Sequence, residues 1–201
     1  MLFRSNVEQG ISNEIFMTER EEDLNCQFAS TPNDATSSDP AVADPRSDIE
    51  RFAVFMRFLA PPMPSPDTPG GAASIANGNA LFMSTGCQLC HTPSFTTGPS
   101  TVAALSGQTV NLYSDLVVHD MGNGLADGVS QGAAGPSEFR TAPLWGLGQR
   151  IFFLHDGRAS DLVTAIQAHS SKGSEANGVI QMYNALPEIS KQDLLNFLRS
   201  L

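Results

Sequence analysis

The sequence predicts a mostly α-helical domain with long Gly- and Pro-rich loops and at most short strands. Three observations point there. Apolar residues recur at helical spacing in several stretches that open on capping residues. The 201 residues include 17 Gly and 13 Pro, which favour turns and loops. The middle of the chain, Thr92 to Gly135, is Gly- and Ser-rich and broken by one apolar run, Leu112 to Met121. This length holds one domain and a sizeable appendage.

Residues 1–47 are polar and acidic, with Thr31-Pro32-Asn33-Asp34 and Ser37-Ser38-Asp39-Pro40 reading as loop. Ser47-Asp48-Ile49-Glu50 is a capping box, after which Ile49, Phe52, Ala53, Met56 and Leu59 share one helical face. Pro61-Pro62 ends that helix, and a Pro-rich linker runs to Pro69. A second helix is expected from about Gly71 to Thr85, with Ile75, Gly78 and Phe82 on one face. Gly78 would let another helix cross closely, or is an ordinary weak helix position. Phe82 is core, packed on a cofactor or its covering helix. Ser160 is expected to cap a third helix aligning Leu162, Ile166 and His169, and a fourth covers Glu175 to Ala185. The last begins at Ser190 with Asp193 completing the start, and stripes Leu194, Phe197, Leu198 and Leu201.

The second helix delivers the chain into Cys87-Gln88-Leu89-Cys90-His91. C-x-x-C-H is the attachment signature of a c-type haem: two thiols reach the two porphyrin vinyl groups, and the following His lies under the iron. A structural zinc site would need further ligands at spacing, and the next His is His119. A thioredoxin-type pair would need a strand before Cys87, which the sequence does not offer. Cys87, Cys90 and His91 are therefore the expected haem c residues, with Cys26 left unpaired. First and last helices crossing beside this motif make the cytochrome c architecture.

The net charge of −10 and pI near 4.6 argue against a nucleic-acid partner and favour a basic redox partner. No stretch reaches the apolar length of a transmembrane segment. Haem is joined to thiols outside the cytoplasm, so a periplasmic or otherwise extracytoplasmic site and a secretory signal are expected. Met1 to Met17 carries no apolar core, which suggests a fragment of a longer chain. The sixth iron position has candidates in His119, Met121, His155, His169 and the other Met residues, and spacing does not choose among them.

Three further blocks accompany the C-x-x-C-H. They are Leu112-Tyr113-Ser114-Asp115-Leu116-Val117-Val118-His119-Asp120-Met121-Gly122, Arg140-Thr141-Ala142-Pro143-Leu144-Trp145-Gly146-Leu147-Gly148, and Phe153-Leu154-His155-Asp156-Gly157-Arg158-Ala159. In this order they resemble the di-haem oxidoreductase family, peroxidase-like proteins distantly related to bacterial di-haem cytochrome c peroxidases. The resemblance covers 65–201 strongly and 6–62 weakly. It implies two haem domains, yet this chain holds one C-x-x-C-H. On that reading 1–64 is the end of a preceding domain plus linker, and 65–201 is the cytochrome c-like haem domain.

In the relatives the H-D-G turn leads into a short helix bearing the distal ligand, a place that falls here on His169, with Met121 the alternative. The resemblance implies electron relay to an upstream haem domain, in a peroxidase-like enzyme whose catalytic residues this sequence does not identify. A self-contained mono-haem electron carrier is the alternative. Trp145 would pack near the haem or in the core. Arg140 could pair with a propionate. His119 and Asp120 could orient a propionate or a water, or cap a loop. His155 is expected to hold the H-D-G turn.

Overall fold

The computed structural model describes residues 12–14, 32–64, 67–130 and 133–201. Cys26 lies outside them. The chain divides into two compact units, Met1–Ala60 and Pro61–Leu201. The family-like blocks and the C-x-x-C-H all fall in the second.

In the first unit, helix α1 spans Asp48–Arg57. Ser47 caps it, its hydroxyl accepting from the Glu50 amide, and the Asp34 carboxylate accepts from the Asp48 and Ile49 amides at 2.7 and 2.8 Å. A carboxylate on these otherwise unpaired N–H groups also complements the helix dipole. The expected apolar stripe is buried only at Ile49; Phe52, Met56 and Leu59 are exposed.

The second unit is built on two crossing helices, α2 (Gly71–Thr85) and α5 (Glu188–Ser200). Gly78 sits at their crossing. A Cβ there would lie 2.1 Å from the Asp193 carbonyl oxygen and 2.6 Å from Phe197 Cβ, so the close-approach reading of Gly78 holds. Asp193 faces α2, accepting from the Ser74 hydroxyl and from Asn77 Nδ2. It is thus a cross-helix group rather than part of a cap, and α5 starts two residues before Ser190, behind Pro187. Pro there loses no helical hydrogen bond, which moves the start upstream. Phe82, Leu147, Leu162, Tyr183, Leu194, Leu195, Phe197 and Leu198 make the core. Burying each large apolar side chain stabilises the crossing by about 1.5–3 kcal/mol.

Two shorter helices cover this pair, α3 (Leu162–Ala168) and α4 (Asn177–Asn184). Asp161, not Ser160, caps α3, because its carboxylate reaches both the Thr164 amide at 2.8 Å and the Thr164 hydroxyl at 2.7 Å. The long loop-rich segment between α2 and α3 forms two small antiparallel ribbons. In the first, β1 (Phe95–Thr96) pairs with β2 (Thr109–Val110), Phe95 opposite Val110. In the second, β3 (Val118–Asp120) pairs with β4 (Glu138–Arg140), His119 opposite Phe139. Among the described residues the architecture is mostly helical with only short strands, as the sequence predicts.

Candidate functional site

Helix α2 ends on Gly86, whose φ of 98° suits a residue without Cβ and turns the chain into a 3-10 turn, Cys87–Leu89. That turn places Cys87 and Cys90 as two unpaired, half-buried thiols. Burial raises both thiol pKa values, against a contact of 3.3 Å between Cys87 Sγ and the Thr85 hydroxyl. The His91 amide donates to the Cys87 carbonyl at 2.9 Å and closes the turn. In the same segment Gln88 Oε1 is buried with no hydrogen-bond partner among the described residues.

The segment after β2 lies along this motif. The Tyr113 amide donates to Pro93, Ser114 to Thr92 and Asp115 to Cys90, at 3.2, 2.9 and 2.8 Å. The Tyr113 carbonyl lies 3.0 Å from His91 Nδ1. Because a carbonyl only accepts, Nδ1 carries the proton and Nε2 keeps its lone pair. Burial pushes the His91 pKa down to about 4, so the ring is neutral at physiological pH. His169 repeats the arrangement at the C-terminal cap of α3. Its Nδ1 donates to the Ala165 carbonyl at 2.7 Å, and burial lowers its pKa.

The fold brings the two rings together, 78 positions apart in sequence, with centroids 6.5 Å apart and planes tilted by 56°. Two imidazoles on opposite sides of one metal ion, each with a metal–nitrogen bond of about 2 Å, have ring centres about 6 Å apart once ring size is added. The neutral rings, their directed tautomers and the two free thiols beside them fit a haem held through Cys87, Cys90, His91 and His169.

Phe82 is 1% exposed, its ring 6.5 Å from that of His91 and edge-on to Tyr113 and Phe197. Trp145 is half-buried and donates from Nε1 to the Asn111 carbonyl at 2.7 Å. Arg140 is exposed at the end of β4, its side chain without a hydrogen bond or ion pair among the described residues. Met121 follows β3, its amide bonded to Ser137 and its carbonyl to the Ser171 hydroxyl. His155 stacks on Phe139 at 4.2 Å, and Arg158 ties the H-D-G turn together through Asp156 at 2.5 Å and Gly124 at 2.8 Å.

Sequence spacing alone missed a second cluster. Cys90, Asp115 and His119 bring possible ligand atoms within 4.8 Å of one another. Both nitrogens of His119 are already engaged, Nε2 with Asp115 at 2.8 Å and Nδ1 with Glu175 at 2.7 Å. Burial opposes a charge on this ring, but Glu175 and Asp115 outweigh it and raise the pKa. His119 is thus clasped between two carboxylates that favour its protonated form, which makes a closed network beside the motif. The i, i+4 spacing of Asp115 and His119 was the one sequence signal for half of it.

A family model described as di-haem oxidoreductase, putative peroxidase, matches residues 18–201. The chain belongs to this family. Membership implies a haem cofactor and a haem-related redox role, and the match runs through both units. No match is found among curated proteins or solved structures.

Proposed function

We propose that this di-haem oxidoreductase family member is a c-type haem electron-transfer domain whose iron is held on both faces by histidine. Cys87 and Cys90 form the thioether links, His91 is the proximal ligand and His169 the distal one. The observation that carries the reading is the pair of half-buried, neutral imidazoles 6.5 Å apart, each with Nδ1 tied to a carbonyl. When bound, the haem supplies one-electron exchange, while the protein sets access and potential.

The residues' own work is specific. The two carbonyls fix both histidine tautomers, and with them the direction of each Nε2. Phe82 and its aromatic neighbours exclude water from the proximal side. Two imidazoles in place of a His/Met pair lower the reduction potential. The relay serves a second haem domain, and the exchange takes place outside the cytoplasm. Among the described residues no helix is long and apolar enough to cross a membrane. The charge of −10 suits a basic redox donor, so its association rate should fall steeply as salt is raised toward 0.15 M and beyond.

Spin state tests the ligand pair. His169→Ala should turn a low-spin ferric spectrum high-spin, and Met121→Ala should leave it low-spin. A far-red methionine-to-iron band lost in Met121→Ala would transfer the sixth position to Met121. Covalent attachment is tested separately: haem should stay with the chain through acid and organic solvent, and should be held by one link in Cys87→Ala or Cys90→Ala.

A further inference from the structure

Tyr113 is one of three non-glycine residues with positive φ among the described residues, at 51°. Side chains disfavour that region, so something must hold this residue there. Its ring meets Phe82 edge-on at 5.8 Å and 83°, and Phe197 at 5.8 Å and 68°. The ring is thus held by one aromatic from each of the two crossing helices. On its other side the backbone is pinned by hydrogen bonds from Tyr113, Ser114 and Asp115 to Pro93, Thr92 and Cys90. Ser114, fully buried, adds a bond from its hydroxyl to the Thr141 carbonyl at 2.8 Å. The product of this clamp is one feature: a carbonyl 3.0 Å from His91 Nδ1.

We propose that Tyr113 is a positioning residue for His91, its ring acting as the wedge that aims its own carbonyl at the imidazole. The inference rests on His91 as an iron ligand and says what controls that ligand. A carbonyl accepting from Nδ1–H makes the opposite nitrogen a stronger donor and fixes the ring's rotation about the metal bond. A stronger donor favours the oxidised iron and so lowers the potential. The phenol hydroxyl has no part in this, because the hydrogen bond is made by the backbone and the wedge by the ring.

The test uses the haem-loaded protein and compares Tyr113→Phe, which keeps ring and carbonyl, with Tyr113→Ala, which removes the wedge. Reduction potential and the ferric paramagnetic resonance spectrum are read on both, with covalent haem content as a check. The phenylalanine variant should match the parent. The alanine variant should keep its haem and its low-spin state, with a raised potential and a shifted spread of g values. Should the alanine variant not load haem, Tyr113→Leu, which fills the slot without an aromatic edge, is read instead, with the same shift expected. An unchanged potential and spectrum in the alanine or leucine variant would overturn the proposal. A phenylalanine variant shifted as far as alanine would overturn it too, by placing the effect in the hydroxyl. Failure of the underlying reading looks different: His91→Ala would then leave the ligation spectrum of the parent untouched.

Discussion

His119 has a carboxylate on each nitrogen and sits beside Cys90, so its protonation is coupled to the folding of the motif. Folding raises its pKa above the ordinary histidine value of about 6.5. In the interval between those two values the folded state binds more protons than the unfolded one. Stability therefore falls as pH rises there. The contribution is fully present below about pH 6.5 and is lost as pH climbs through the folded value. His119→Gln should remove this dependence. Denaturant unfolding from pH 5 to 9 should show the parent's advantage over the variant narrowing with rising pH. A constant gap would mean that folding leaves the ring's pKa unmoved, and a widening one that the imidazole is neutral in the fold. Because the cluster is only partly buried, salt should narrow the gap as well.

Helices α2 and α5 meet through Gly78, and the cost of widening that contact can be measured against a control on another helix. Gly78→Ala places its methyl against the Asp193 carbonyl and Phe197, where overpacking costs about 1–3 kcal/mol. The better helix propensity of alanine returns about 1 kcal/mol. A net loss of up to about 2 kcal/mol is expected, because the obstacle is backbone and cannot rotate away. At Gly178 on α4 a Cβ would meet nothing within 4 Å, so Gly178→Ala should stabilise by up to about 1 kcal/mol. Paired thermal melts read both, and equal effects would refute the crossing argument. At this scale the sequence was most legible where local chemistry decides. Helix α2 runs from Gly71 to Thr85 as its pattern predicts, and Ser47 caps α1 as its box predicts. Legibility failed where tertiary partners recruit a residue. Asp193 looks like a cap but serves α2, and Asp161 displaces Ser160 by making two bonds to Thr164. At the site, Cys87, Cys90 and His91 are written in one motif. The approach of His169 to His91 needed the resemblance to suggest it and the fold to supply a distance. The Tyr113 carbonyl had no signature, since a backbone acceptor can belong to any residue.

For the whole molecule, the decisive matter is whether the iron offers a position to a substrate. A family of peroxidase-like oxidoreductases contains the chain, yet the two histidines proposed here occupy both faces of one haem, and the sequence carries one C-x-x-C-H. A site filled by two protein ligands exchanges electrons without admitting peroxide. The loaded chain should therefore exchange electrons rapidly with small mediators. Its oxidation by peroxide should stay slow and rise linearly with peroxide concentration, without saturation. His169→Ala opens one face, so the same chain should then oxidise faster in peroxide while its exchange with mediators persists. The neighbouring residues fit a relay better than a peroxide site: the sequence-expected partners of the iron are neutral rings, and both nitrogens of the nearby His119 are engaged by Asp115 and Glu175 rather than left free to move protons. Stopped-flow mixing of the reduced protein with peroxide reads the outcome directly. A saturable, fast reaction in the parent would mean that His169 leaves the iron during turnover, and would assign catalysis to this domain.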